Sequence, residues 1–287
     1  MIVDLDVMAV LQRTAATFPV RTADAFRALA ADDPATTRAF GSGALVSWGP
    51  GRFVNRAIGV SLDELDDASL DGIETFFDEA GVPPSIEVCS SASPGLIAAL
   101  ASRRFAPVRF NDLLVTTGQV VDDGPGINPA VSVRPVDETS QADWHRAFVD
   151  GFATTPEERR LNDELAASLV HVRDAVHLLA DLDGDVAGCG SLFRDGSVGW
   201  VGSAATLPQS RRRGVQAAML EARIGIAREL GCDLIAATAT PGSASSRNLR
   251  RHGFRLAATI LIMTRPPSRD EARSVEEGSG EPDPVAR

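Results

Sequence analysis

The stretch LPQSRRRGVQAAML, residues 207–220, places three arginines where an apolar strand ends and a helix begins. A helix N-terminus already carries about half a positive charge from its aligned peptide dipoles, and its first N–H groups lack partners within the helix. Three guanidiniums there are unfavourable unless an anion completes the site, and residues 200–220 contain no Asp or Glu. A phosphate or pyrophosphate is the expected guest at such a terminus. A solvated, arginine-rich helix end is the competing reading on local chemistry alone.

Outward from this stretch the periodicity is legible. VGWVGSAAT (198–206) predicts a strand, and small side chains at 202–205 suit a backbone that a ligand approaches closely. Val215, Ala218, Met219, Ala222, Ile226 and Leu230 then recur with the helical period until Gly231. CDLIAATAT (232–240) predicts a strand, SASSRNLRRHG (243–253) a short helix and FRLAATILIMT (254–264) a final strand. Upstream, VSVRPV (131–136) predicts a strand, residues 139–153 and 156–172 two helices, and residues 175–193 a hairpin turning at Asp183 and Gly184. The predicted order is β-α-α-β-β-β-α-β-α-β.

The same pattern echoes in the N-terminal half. RFVNRAIGV (52–60), SLDGIETFFDEAG (69–81), SIEVCS (85–90), PGLIAALASRRF (94–105) and VRFNDLLVT (108–116) read strand, helix, strand, helix, strand, as residues 198–264 do. An unrelated α/β domain is the alternative. Gly, Pro, Asn and Asp cluster in residues 116–131, which predicts a linker at 121–130 between a domain at 1–120 and another at 131–266. Residues 267–287 are poor in large apolar side chains and are expected to be a disordered acidic tail.

LPQSRRRGVQAAML resembles the coenzyme-A-binding motif of the GNAT acyltransferase superfamily, Arg/Gln-x-x-Gly-x-Gly/Ala opening a helix, with Arg211, Gly214 and Gln216 in the motif positions. Gln216 departs from the usual small residue. PGSASSRNLRRHGF (241–254) resembles the second signature of that family, a helix ending in Gly-Phe. The resemblance covers residues 131–265 and implies an α/β fold with a mixed, mostly antiparallel central sheet flanked by helices, with the N-terminal half as a degenerate copy in tandem. It further implies an acetyl-CoA-dependent N-acetyltransferase that acts by direct attack of an amine on the thioester. The alternative is a catalytically weak module that binds acyl-CoA for regulation.

Mapped residue by residue, the resemblance assigns the cofactor to Ala204, Ala205 and Thr206 on the fourth strand, to Arg211, Arg212, Arg213, Gly214, Val215, Gln216 and Ala217 at the helix start, and to Asn248. The tyrosine that the family often uses as acid is replaced by Leu249. A thiol with a pKa of about 8.5 can depart without full protonation, and Ser245, Ser246 or water can substitute. Candidate bases lie on the acceptor-side helices: His145, Asp150, Glu157, Glu158, Asp163 and Glu164. His171, His177, Trp144 and Trp200 are weaker candidates, since such residues also serve the core.

Composition limits the remaining possibilities. All 28 basic residues are arginines, and Tyr is absent, which removes lysine Schiff bases, a nucleotide-binding P-loop lysine and any tyrosine acid. A net charge of −11 opposes a nucleic-acid or membrane partner, although RRR and RNLRR leave nucleic-acid binding as a third, weaker reading. Cys89, Cys189 and Cys232 form no C-x-x-C pair, so no metal site is expected. With no leader-like or membrane-length apolar segment, a cytoplasmic location is expected, and a small-molecule amine or a peptide is the expected acceptor partner. GVSLDELDDASLDG (59–72) carries five acids where the N-terminal copy would need a phosphate loop. That half is expected to serve as scaffold or as one wall of the acceptor cleft.

Overall fold

A computed structural model describes residues 4–117 and 128–266. The N-terminal half runs α1 (Leu5–Leu29), β1 (Thr36–Phe40), β2 (Gly43–Ser47), β3 (Asn55–Ile58), α2 (Asp67–Glu79), β4 (Ser85–Cys89), α3 (Pro94–Ser102) and β5 (Ala106–Thr116). The C-terminal half runs β6 (Val131–Pro135), α4 (Gln141–Phe152), α5 (Pro156–Leu169), β7 (Ala175–Leu182), β8 (Asp185–Asp195), β9 (Val198–Thr206), α6 (Val215–Glu229), β10 (Leu234–Ala239), α7 (Ala244–Arg251) and β11 (Arg255–Thr264). The expected order of elements from residue 131 onward is present in full. The hairpin turns at Asp183 and Gly184, both at positive φ, as its tight turn requires.

Among the described residues, eleven strands join one sheet in the order β1-β2-β3-β4-β11-β5-β10-β9-β8-β7-β6. Only β3–β4 and β9–β10 are parallel, so the sheet is mixed and mostly antiparallel, as expected. These two parallel pairs occupy equivalent places in the two halves and mark the internal repeat. The halves also exchange their last strands: β11 lies between β4 and β5, and β5 lies between β10 and β11. Of the expected linker, residues 121–127 lie outside the described residues, as does the expected tail at 267–287.

The 25-residue helix α1 had no counterpart in the sequence reading. Asp4 caps its start by accepting from the Val7 amide at 2.9 Å. Met8, Leu11, Ala16, Ala23 and Phe26 are buried along it, and it packs on β2, β3, β8, β9 and α5, bridging both halves on one face of the sheet. Helices α6 and α7 cover the opposite side, with α6 on β6–β9 and α7 on β5 and β10. Helix α6 departs from the predicted stripe. Leu230 is exposed at its end, whereas Leu220, Arg223 and Ile224 are buried, because the helix is covered by α7 as well as by the sheet. No helix among the described residues is long and apolar enough to cross a membrane.

An ion pair closes the loop between α1 and β1. Arg52 donates from both terminal nitrogens to the Asp33 carboxylate at 2.8 Å and 2.8 Å, stacks on Phe26, and reaches Glu164 of α5 at 3.3 Å. Burial alone would raise the Asp33 carboxyl, but the Arg52 hydrogen bonds and charge hold it below its ordinary value. A depressed folded-state pKa stabilises the protein above the unfolded Asp value, about 4, and the contribution disappears as pH falls through the lower folded value. We expect Asp33→Asn to cost about 2 kcal/mol at neutral pH, with the difference from the parent protein vanishing in chemical melts performed below about pH 3.

Candidate active site

The two parallel strands β9 and β10 pair only as far as Trp200 and Ala236, and then diverge. The cause is local to β9. Ser203 sits at φ 49°, and the register to β8 shifts between Ser191↔Gly202 and Cys189↔Ala205, a bulge that turns the strand away from its neighbour. Arg223, buried within α6, donates to the Gly202 carbonyl at 3.2 Å and to the Met219 carbonyl at 3.1 Å. The guanidinium thus supplies the hydrogen bond that Gly202 loses where β10 departs. Burial lowers the Arg223 pKa to about 10, so it remains charged at neutral pH.

An outer cleft of about 710 Å³ opens at this divergence. Ala204, Ala205 and Thr206 line it from β9, Gly214 to Ala217 from the start of α6, and Asn248 from α7. After a single 3-10 turn at Pro208–Ser210, Arg212 adopts φ 62° and Gly214 φ 85°. Gly214 is the N-cap of α6, and no side chain caps that terminus. A Cβ at Gly214 would stand 2.9 Å from Asn128 Cβ, so glycine is required both for its conformation and for space.

The three arginines are not equivalent. Arg211 and Arg212 line the cleft. Arg213 instead donates to Asp183 at 2.7 Å and is absent from the lining. Arg247 and Arg251 of α7, which belong to the RNLRR cluster and were not expected at the cofactor site, join the lining. Four guanidiniums therefore surround a cleft whose lining includes no carboxylate, in a chain of net charge −11. The Asn248 Nδ2 is buried without a hydrogen-bond partner, an orphaned donor directed at whatever occupies the cleft. An elongated, multiply anionic ligand with amide or thioester carbonyls fits this set of groups. Cys189 also lines the cleft, but burial pushes its thiol up to about 12, which leaves it a poor nucleophile.

An inner cavity of about 450 Å³ continues from the cleft, with Phe152, Ala204, Gln216 and Asn248 shared between the two. It reaches the N-terminal half, where α1 roofs it and Arg56 of β3, Glu87 of β4 and Asn111 of β5 line it. Ser245 lines it as well, whereas Ser246 turns toward Asp112 at 3.5 Å. Ser243 is the cap of α7, accepting from the Ser246 amide at 3.1 Å. Leu249, at the tyrosine position, is buried and lines the cavity.

The candidate bases on the acceptor-side helices line neither space. Asp150 pairs with Arg159 at 2.7 Å, Glu164 with Arg160 at 2.6 Å, and Asp163 lies 2.7 Å from His145. Glu157 and Glu158 stand in the first turn of α5, where Glu157 is exposed and Glu158 accepts from the Thr154 amide at 2.7 Å. His177 is enclosed by Trp144 and Phe193, and burial pulls its pKa down to about 4. It is a neutral core residue. Among the described residues no three His, Cys, Asp or Glu side chains converge as a metal site.

The N-terminal equivalent of the arginine loop is closed by its own acids. Asp66 caps α2 through the Ser69 amide at 2.9 Å, and Arg103 is shared by Asp67, Asp71 and Glu74. The helix terminus that would receive a phosphate is thus already occupied by carboxylate.

Residues 140–254 match the model of the acetyltransferase (GNAT) family. The likeness of fold to solved structures extends through both halves. A GCN5-related N-acetyltransferase from Kribbella flavida superposes with a TM-score of 0.64 at 19% identity, over 89% of this chain and 97% of that one. A tandem GNAT protein from the clavulanic acid biosynthesis pathway superposes with a TM-score of 0.58 at 11% identity, over 93% of this chain and 98% of that one. A third similar structure is a GCN5-related N-acetyltransferase from Sphaerobacter thermophilus, with a TM-score of 0.50, 18% identity, and coverage of 70% and 67%. No curated protein sequence matches the chain.

Proposed function

We propose that the protein transfers an acetyl group from acetyl-CoA to a primary amine of a small molecule or peptide, with the cofactor in the outer cleft and the amine in the inner cavity. The observation that carries this reading is the acid-free cleft lined by Arg211, Arg212, Arg247 and Arg251, beside an uncapped helix N-terminus and a strand freed from its neighbour. Phosphates are held by those guanidiniums and by the N–H groups from Gly214 to Ala217. Asn248 donates to a carbonyl of the pantetheine arm or of the thioester. Backbone donors on β9 at the bulge stabilise the oxyanion that develops when the amine attacks.

The described cleft contains no lysine, and Cys189 remains a thiol, which favours direct transfer over an acyl-enzyme intermediate. The departing thiolate needs little help, so Leu249 in place of tyrosine slows the reaction without preventing it. Ser245, which lines the cavity, offers a hydroxyl for this role. The test is release of free thiol from acetyl-CoA across a broad panel of amines. Thiol release that depends on the amine supports a transferase, whereas tight binding with no release favours the regulatory reading.

A further inference from the structure

The inner cavity holds a pair of charged side chains that the transferase reading leaves unused. Arg56 is buried on β3, and its Nε has no hydrogen-bond partner. Glu87 on the adjacent β4 lies 3.3 Å from that nitrogen, close enough to compensate charge, yet the N–H is not directed at it. Both side chains share the face that α1 covers, as their neighbours show: Val54, Arg56 and Ile58 line the cavity together, and Cys89 packs with Met8 and Leu11 of α1. A buried guanidinium nitrogen without an acceptor is costly unless a ligand completes it.

The surroundings narrow the ligand further. Phe18, Val54 and Trp200 give the cavity apolar walls, while Asn111 adds a polar amide. Pro19 lies within α1 and has no N–H to return to the Ala15 carbonyl, and both residues line the cavity. The other charged groups are Arg109 of β5, whose field reaches Glu87, and Arg223 of α6, across the cavity. Helix α1 contributes Gln12, Ala15, Phe18 and Pro19 to the lining, none of which titrates. Two guanidiniums, those of Arg56 and Arg109, thus act on one carboxylate.

We propose that the acceptor is a small α-amino acid with an apolar side chain, its carboxylate held by Arg56 and its amine presented to Glu87, which acts as the general base. This inference rests on the transferase reading. A carboxylate and an ammonium on one carbon match an arginine and a glutamate side by side, whereas a simple amine satisfies Glu87 and leaves the Arg56 nitrogen dry. In the reaction, Glu87 takes a proton from the ammonium, and the neutral nitrogen attacks the thioester carbon. The N–C bond forms as the C–S bond breaks, the surplus proton on nitrogen passes to the sulfur, and the proton on Glu87 returns to solvent. The role suits the environment, because burial raises the Glu87 carboxyl above its ordinary range even against the pull of Arg56 and Arg109.

The test compares leucine and phenylalanine with their decarboxylated counterparts, isopentylamine and phenethylamine, on the full chain with acetyl-CoA. The amino acids should exceed the amines by on the order of 10⁴-fold in kcat/KM, the scale on which a site built to pair a group rejects the analogue lacking it. Arg56→Met should erase the preference, read as the ratio of amino acid to amine turnover within the variant, and Arg56→Lys should restore part of it. Glu87→Gln should lower kcat by about 100-fold and remove the limb of the pH profile on which activity rises as Glu87 ionises. Equal use of amines and amino acids, or an unchanged preference in Arg56→Met, overturns the proposal. So does the absence of any amino acid binding by calorimetry to a chain that binds CoA. Failure to bind CoA at all overturns the transferase reading itself.

Discussion

Replacing Arg211 and Arg212 together with alanine is expected to weaken acetyl-CoA binding by about 100-fold or more, since each charge-assisted contact contributes about 1.5–3 kcal/mol. Both side chains are exposed at the rim of the cleft, so their loss removes no core packing and the melting temperature should hold. Arg213→Ala is the internal control. Its guanidinium is already neutralised by Asp183 at 2.7 Å, and we expect its loss to change affinity only a few-fold. Titration at several salt concentrations provides the second readout, because the dependence of affinity on salt should flatten in the double variant as fewer charges are engaged. Equal effects at all three positions would contradict this division of roles.

Deletion of residues 1–120 is expected to unfold the remainder, an effect larger than that of any point substitution. The deletion removes β5, which pairs with β10 over Asp112–Thr116 and with β11 along most of its length. Leu113, Leu114 and Val115 on β5 are almost fully buried, and each stabilises the fold by about 2 kcal/mol through burial. Together with the backbone bonds lost on both sides, about 1 kcal/mol apiece, the deficit exceeds the 5–15 kcal/mol that typically holds a domain together. The full chain should melt in one cooperative transition by calorimetry. A soluble fragment starting near residue 121 with sharp NMR dispersion, or two separate transitions for the full chain, would show that the strand exchange matters less than its position in the sheet implies.

The strand exchange also marks the limit of what sequence periodicity conveys. From residue 131 onward each element is short, bounded by glycine or a capping residue, and regular in its apolar spacing, so the order was legible. Which strand β5 and β11 choose as neighbours depends on how two sheets meet, and no local pattern encodes that. Helix α1 is hard to read in the sequence because Pro19 and the polar run of Gln12, Arg13 and Thr14 interrupt its stripe, although Gln12 is buried against Ser61 and Thr14 against Asp195 of the other half.

The site divides in the same way. The cleft was legible because a backbone turn and its arginines are contiguous, while Arg247 and Arg251 resembled an ordinary basic helix end until α7 was placed beside α6. Of the bases sought on α4 and α5, Asp150, Asp163 and Glu164 are engaged in surface pairs and Glu158 accepts from Thr154, and none lines either space. The carboxylate in the cavity is Glu87, one charge in the otherwise apolar strand SIEVC, and Arg56 is its counterpart in NRAI. A charged residue at an inward position of a short central strand was the available signal.

The most direct test of the central claim is amide hydrogen exchange on the full chain with and without acetyl-CoA. Protection should appear at residues 202–206 and 211–217, with none at 59–72, where Asp66 already caps the equivalent helix. Absence of protection in the C-terminal segments, or protection at 59–72 instead, would contradict the assignment of the cofactor to the arginine-lined cleft.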